Sequence, residues 1–212
     1  VVSAKMLCHA LYFMPGTAIV YPGEEIGMTN VNYLTLDDFK DVEVFTEYDN
    51  FIQFGASHEV AMQALRDRAR DNARTPYQWN DKEYAGFSVN KHWIKENENY
   101  KEINLSSQIN DDDSIFSTYK TVFQMRKDHH VSDGDIRFID LQNDDTYIYV
   151  NQTSKVDILS ISNFRAYPVR VKLDIPLKGY ETVLTNYQKS SLKKEMYLLP
   201  YESIVALKRR NG

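Results

Sequence analysis

Apolar residues follow two different periods along the chain, and the change comes near residue 131. Before that point they recur three and four residues apart, as along one face of a helix, and after it they alternate with polar residues. Ala4, Leu7, Cys8 and Leu11 show the helical spacing most clearly. The pattern and its capping residues predict helices over residues 4–11, 35–48, 57–65 and 114–127.

Alternation dominates the last third of the chain, and Asn, Asp and Gly clusters punctuate it. The strands predicted there cover residues 136–141, 147–150, 157–163, 168–173, 181–185, 195–199 and 203–208. Short strands at this spacing are typical of an antiparallel sandwich, here of about 80 residues.

Residues 17–21 differ from the later strands because both alternating faces are apolar. Such a pattern predicts a strand buried on both sides, as in a parallel sheet. A parallel strand needs neighbours for its backbone groups, and the sequence shows no second strand of this kind. Either the sheet lies before Val1, or the strand interpretation is wrong. The chain also opens inside a helix, so we expect a piece of a longer protein.

The composition of the chain argues against several classes of function. The chain has 212 residues with 25 basic and 30 acidic side chains, and its net charge of −5 argues against general affinity for nucleic acid or anionic membranes. No apolar run approaches the roughly 20 residues of a membrane span. The lone cysteine, Cys8, excludes an internal disulfide and fits a cytoplasmic location. Without a glycine-rich phosphate loop or ligand-spaced histidines, the sequence predicts no cofactor and no metal.

Residues 70–79, RDNARTPYQW, bring guanidinium, carboxylate, amide and indole groups together in one short segment. Arg70 and Arg74 are guanidinium groups that can pair with a carboxylate and still donate to hydroxyls. Asn72 adds an amide, and Trp79 adds an indole able to pack against a sugar ring. Two interpretations remain open at this point, a polar ligand-binding loop and an ion-paired structural loop.

Two segments carry a family resemblance. Residues 16–30, GTAIVYPGEEIGMTN, resemble the last-strand motif of the α-amylase superfamily, glycoside hydrolase family 13. Residues 70–79 resemble a loop of its α-glucosidase branch. The likeness is closest to oligo-1,6-glucosidase and dextran glucosidase, although trehalose-6-phosphate hydrolase and sucrose isomerase carry similar segments. It is strong over residues 1–130.

The resemblance implies a fold that is α/β plus all-β. Residues 1–131 would be the C-terminal end of a (β/α)8 barrel: a helix, the eighth strand, a long loop and the closing helix. Residues 132–212 would be a C-terminal antiparallel β-sandwich. A chain with one barrel strand exposes apolar surface, so we expect self-association through this barrel edge.

The resemblance also implies a retaining α-glucosidase that hydrolyses α-1,6 or related bonds of gluco-oligosaccharides. Such enzymes use two carboxylates, a nucleophile and a general acid. Both, and a third Asp, precede the last-strand motif in the family, so no catalytic residue is assigned here and the fragment is expected to be inactive alone. The alternative class is a non-catalytic carbohydrate-binding or structural module. Within the enzymes, trehalose-6-phosphate hydrolase and sucrose isomerase stay open.

Only substrate-binding residues carry over from the family. Arg74 matches the arginine that holds hydroxyls of the non-reducing glucose and pairs with an upstream Asp. Arg70 is the weaker candidate, with a structural role preferred. Asn72 and Trp79 line or brace the pocket. Glu24 and Glu25 are interpreted as structural, since neighbours on a strand point to opposite faces.

Overall fold

The computed structural model describes residues 1–188 and 190–210, which divide into two compact units. One unit combines residues 1–20 with the described residues from 113 onward, and the other is formed by Tyr21–Asp112. The domain boundary between residues 131 and 132 stays a prediction. None of the helices in the described residues is long and apolar enough to cross a bilayer.

The secondary structure described in the unit of residues 21–112 is helical, and the other unit combines helices with antiparallel strands. The α-helices are α1 (Val2–Tyr12), α2 (Val42–Gln53), α3 (His58–Arg68), α4 (Leu105–Gln108) and α5 (Ile115–Asp128). The 3-10 helices are Glu24–Ile26, Leu36–Asp38, Arg70–Arg74, Glu83–Gly86, Glu98–Lys101 and Val131–Asp133. The strands are β1 (Asp135–Ile139), β2 (Thr146–Gln152), β3 (Val156–Asn163), β4 (Val169–Lys172), β5 (Glu181–Thr185), β6 (Glu195–Leu198) and β7 (Ser203–Arg209).

All of the strands predicted after residue 135 are present, with ends that differ by at most about two residues. They form a five-stranded sheet in the order β1-β2-β3-β7-β5 and a two-stranded sheet of β4 and β6. Every pairing is antiparallel among the residues described. Strand β3 lies at the centre of the larger sheet, and all of its residues are buried.

Strand β3 is buried throughout because both faces of its sheet are covered. Ile158 faces a core that includes Tyr12 of α1 and Tyr119 of α5. Its neighbour Leu159 faces a second core that includes Val171 of the two-stranded sheet. Successive side chains point to opposite faces, so an apolar run on a central strand fills both cores.

The N-terminal helix is confirmed, but its buried face differs from the predicted stripe. Leu7 and Leu11 are 41% and 51% exposed. Lys5 and His9 are buried instead. The His9 Nδ1 atom lies 2.8 Å from the Ser203 hydroxyl, a partner that makes its burial tolerable. Apolar spacing alone cannot reveal a polar partner that lies far away in sequence.

The strand predicted over residues 17–21 is wrong for this chain. No ladder of the described residues includes it, and Ile19 is 81% exposed. Only one side of the segment is covered, since Ala18 and Val20 pack against the core below α1. The Ile19 carbonyl accepts a hydrogen bond of 3.0 Å from the Tyr12 hydroxyl instead of a strand amide. A parallel strand forms only beside neighbours, and the part of the chain that the structure describes offers it none.

In the unit of residues 21–112, the predicted helix over 35–48 is split into two elements. Thr35 caps the 3-10 helix Leu36–Asp38 through a capping box, and Asp41 starts α2 by accepting from the Glu43 amide at 3.1 Å. Helix α3 begins after Ser57 as predicted. The core of this unit contains Val31, Tyr33, Phe39, Val44, Met62, Leu65 and Ala69.

Candidate functional site

A groove of about 740 Å³ lies in the unit of residues 21–112. Its walls come from residues 21–30, from residues 67–77 and from Phe87. The segment 67–77 includes the end of α3 and the 3-10 helix Arg70–Arg74, so the arginine-rich motif forms one wall. The groove thus coincides with the segment in which the sequence predicts binding chemistry.

Arg70 is held by two carboxylates. Its Nε and Nη2 atoms donate to the two oxygens of Asp41 at 2.7 and 3.0 Å, and Nη2 lies 2.9 Å from Glu43 Oε1. The hydrogen bond from Arg70 is the main reason why the pKa of Asp41 is lowered, and the same bond raises the pKa of Arg70. This guanidinium is occupied by the protein, which favours a structural role.

Arg74 is placed differently from Arg70. Its Nη1 atom lies 3.8 Å from Asp41 Oδ2 and 3.7 Å from Asp71 Oδ1, which is too long for a hydrogen bond. The side chain is 42% exposed and lines the groove. Two carboxylates therefore balance its charge, while its N–H groups make no hydrogen bond to another described residue and can donate to a ligand.

Asp71 is a buried carboxylate that two backbone amides hold in place. Its Oδ2 atom accepts from the backbone amides of Lys40 at 2.6 Å and Asp41 at 3.0 Å. Its buried Oδ1 atom has no hydrogen-bond partner among the described residues. The Tyr33 hydroxyl is likewise buried without a hydrogen-bond partner among the described residues. Burial, followed by the charge of Asp71, raises the pKa of Tyr33 to about 12. The carboxylate of Asp71 is therefore buried within 3.7 Å of the Arg74 guanidinium.

Asn72 and Trp79 are the two remaining candidates. Asn72 lines the groove, but its Oδ1 accepts from the Val31 amide at 3.3 Å and its Nδ2 donates to the Arg66 carbonyl at 2.7 Å. The amide thus braces the wall. Trp79 is 49% exposed and packs against the Tyr77 ring at 4.7 Å, but it is not among the groove-lining residues.

The contacts of Glu25 beside the groove were not predicted from the sequence, and one partner, Tyr77, lies 52 residues away along the chain. The Tyr77 hydroxyl donates to Glu25 Oε1 at 2.6 Å, and the Gly23 amide donates to Glu25 Oε2 at 2.8 Å. Burial and this hydrogen bond raise the pKa of Tyr77. Glu25 is thus structural, although it lies in the 3-10 helix Glu24–Ile26 and not on a strand. The Asp41 contacts were also missed.

A second groove, of about 700 Å³, lies in the unit that contains the sheets, and its lining includes Tyr187, Met196 and Ile204. Its acidic groups are already engaged: Glu202 accepts from the Leu199 amide at 2.6 Å, and Glu195 pairs with Arg170. The described residues contain no group of three or more His, Cys, Asp or Glu side chains suited to a metal ion. The groove beside Arg74 is therefore the stronger candidate.

A family model described as the catalytic domain of alpha amylase matches residues 1–134, more than half of the chain and all of the Arg74 groove. The chain belongs to the alpha-amylase family. One of its relatives is the oligo-1,6-glucosidase of Bacillus cereus, which is 38% identical over 208 residues. That match covers 96% of the chain and 37% of the relative.

Solved structures of the family have a similar fold. The trehalose-6-phosphate hydrolase of Bacillus licheniformis matches with a TM-score of 0.91 and 34% identity over 99% of this chain and 39% of its own. The trehalulose synthase MutB of Pseudomonas mesoacidophila MX-45 matches with a TM-score of 0.87 and 33% identity over 99% and 38%. The chain thus spans well under half the length of the relatives that it matches.

Proposed function

We propose that this chain forms the C-terminal part of a retaining α-glucosidase acting on α-1,6-linked gluco-oligosaccharides. In this proposal residues 1–131 are the end of a (β/α)8 barrel and residues 132–212 are an antiparallel sandwich. The catalytic-domain match, which stops at residue 134, and the two antiparallel sheets that follow it support this division. The similarity to an oligo-1,6-glucosidase supports the substrate class.

The proposal depends mainly on the position of the Arg74 guanidinium, which lines the groove with its charge balanced. Its charge is balanced by Asp41 and Asp71 at 3.7–3.8 Å, yet its side chain is 42% exposed within the groove. Such a guanidinium can donate to several sugar hydroxyls at once. Arg70 and Asn72 would brace the wall that carries Arg74, and Trp79 would lie beside the groove.

The reaction needs two carboxylates about 5–5.5 Å apart on either side of the glycosidic bond. We assign neither to this chain, so the 212 residues alone are proposed to be inactive and the complete gene product to be active. Sequencing the coding DNA before Val1 tests this directly. An in-frame barrel that carries the catalytic carboxylates supports the proposal, and a start codon immediately before Val1 contradicts it. A cytoplasmic location stays a prediction.

The role of Arg74 is tested by Arg74→Ala in the complete gene product. Loss of a charged hydrogen bond in a closed site should lower kcat/KM about 30- to 1000-fold, or about 2–4 kcal/mol. Arg170→Ala is a matched control, because that arginine pairs with Glu195 on the sheet unit and should leave the kinetics unchanged. Unchanged kinetics in Arg74→Ala would remove it from the site.

A second candidate is hydrolysis of a phosphorylated disaccharide. Arg68 favours it, because this arginine is exposed, lines the groove and has no ion-pair partner among the described residues. The similarity to a trehalose-6-phosphate hydrolase agrees with it. Comparing kcat/KM for isomaltose, trehalose 6-phosphate and sucrose separates these candidates. A strong preference for the phosphorylated sugar that Arg68→Ala abolishes would select the second candidate.

A further inference from the structure

Phe87 is an aromatic side chain that is exposed on the wall of the groove. It lines the groove that also contains Arg74 and Tyr77, and it is 52% exposed. Single exposed aromatic side chains are common on protein surfaces, but one that lines the same groove as a guanidinium is informative. It was not among the site residues predicted from the sequence.

The backbone before Phe87 is held in an unusual conformation. Tyr84, Ala85 and Gly86 have φ angles of 57°, 54° and 66°, three consecutive residues in the left-handed region. Side-chain-bearing residues avoid this region, so the surrounding contacts must impose it. The Ala85 carbonyl accepts from the Trp79 amide at 2.9 Å, and the Phe87 amide donates to the Tyr84 carbonyl at 2.9 Å.

His92 fixes the ring of Phe87. The His92 ring packs edge-to-face against Phe87, with centroids 5.4 Å apart and planes at 78°. It packs in the same way against Tyr84 at 5.5 Å and 77°, and its Nε2 atom lies 3.2 Å from the Tyr84 carbonyl oxygen. An edge-to-face contact leaves at least one face of the Phe87 ring uncovered by His92. The groove is therefore lined by an exposed aromatic ring that His92 packs against.

We propose that Phe87 is the aromatic face on which this groove takes a neutral glucosyl ring, while Arg74 donates to its hydroxyls. A pyranose has an apolar face of C–H groups and a polar edge of hydroxyls, which matches an aromatic ring beside a guanidinium. In this proposal Phe87, and not Trp79, is the ring that packs against the sugar. His92 is a positioning residue that acts through Phe87. This inference rests on the proposed glucosidase function.

The test compares Phe87→Leu, Phe87→Trp and Phe87→Tyr in the complete gene product, with isomaltose as the substrate. We expect Phe87→Leu to raise KM about 5- to 30-fold and to change kcat by less than about threefold, because stacking holds the bound sugar before and during the reaction. The two aromatic variants should keep KM within about threefold. Phe54→Leu is a matched control, since Phe54 is 88% exposed and outside this groove.

Two further measurements separate stacking from a structural role. His92→Ala should raise KM by less than Phe87→Leu, and His92→Phe should restore it. The thermal melting temperature of the aromatic Phe87 variants should equal that of the unsubstituted protein, so their KM values remain interpretable even if Phe87→Leu folds poorly.

The outcomes distinguish this inference from the proposed function. An unsubstituted gene product without α-glucosidase activity overturns both. An active protein in which Phe87→Leu leaves KM unchanged, or in which Trp79→Leu raises KM while Phe87→Leu does not, overturns the role of Phe87 alone.

Discussion

Asp41 and Arg70 form a two-pronged ion pair in which the carboxylate has two structural tasks. Its oxygens accept from Arg70 Nε at 2.7 Å and Nη2 at 3.0 Å, and Oδ1 also accepts from the Glu43 amide at the start of α2. One buried side chain thus fixes both the helix and the arginine segment. Because Arg70 satisfies Asp41, the donors of Arg74 remain available to the groove.

Asp41→Ala should lower the free energy of unfolding by about 1–3 kcal/mol. The change removes the N-cap of α2 and leaves Arg70 without its main partner. Urea unfolding followed by circular dichroism measures the effect. Glu43→Ala is the control, since Glu43 also pairs with Arg70 but is 64% exposed, and a loss below about 0.5 kcal/mol is expected. Equal losses in both variants would contradict the N-cap role of Asp41.

Asp71→Ala and Asp71→Asn should separate two effects of this buried side chain. Alanine leaves the amides of Lys40 and Asp41 without an acceptor, which costs about 2–4 kcal/mol of unfolding free energy. Asparagine keeps an oxygen for both amides and removes the charge that faces Arg74. We expect Asp71→Asn to retain most of the stability but to lower kcat/KM of the complete enzyme. A large stability loss in the asparagine variant would show that the charge itself supports the fold.

The secondary structure of this chain was largely readable because its signals are local. Period-two alternation predicts the strands from β1 to β7, and Ser57 and Ser114 mark helix starts through their own side chains. Residues 17–21 could not be predicted in the same way. Their apolar alternation describes a strand, but the ladder depends on neighbours that a local pattern does not contain.

Only part of the candidate site could be predicted from the sequence. The family resemblance of residues 70–79 ranks Arg74 above Arg70 as a binding residue, but the residues of the motif alone give no physical reason for the difference. Asp41 makes that distinction from 29 residues away along the chain. Phe87 was missed for a related reason, since its exposure depends on a left-handed turn and on His92.

His9 should make the stability of the fold depend on pH. Burial, followed by the charge of Lys5, lowers its pKa from 6.5 to about 4. Between these values the unfolded chain binds the proton more readily, so the free energy of unfolding should fall as the pH decreases from 6.5 to 4, by up to about 1.4 kcal/mol per pH unit. Above pH 6.5 the imidazole is neutral in both states and contributes no slope. Asp41, whose pKa is lowered mainly by Arg70, adds a loss only at still lower pH.

Urea unfolding at pH 7.0, 6.0 and 5.0 measures the contribution of His9, and His9→Asn isolates it. The asparagine side chain keeps a polar atom near the Ser203 hydroxyl but does not titrate. Its stability should fall less steeply over this range. Parallel curves for the two proteins would mean that other groups carry the pH dependence.

Arg126 should be needed for the end of α1. Its guanidinium donates to the carbonyls of Tyr12, Met14 and Gly16, with 2.9 Å to Met14 and 2.8 Å to Gly16. Three carbonyls in different directions suit a planar fork and not a single ammonium. Arg126→Lys should therefore cost about 1–3 kcal/mol of unfolding free energy, measured by urea unfolding. Arg170→Lys, on an exposed ion pair, should cost much less, and similar losses would contradict this role.

Self-association of the 212-residue chain should depend on the surface formed by Leu7, Leu11 and Ile19. Leu7 and Leu11 are 41% and 51% exposed one turn apart on α1, and Leu11 shares a surface pocket with Ile19, which is 81% exposed. Contiguous apolar surface of this kind drives association. Light scattering at rising concentration should show an increasing mean mass that Ile19→Lys reduces. Val183→Lys, on a 40% exposed side chain of β5, should have little effect. A constant monomer mass for the unsubstituted chain would refute this expectation, because the surface would then be tolerated in water.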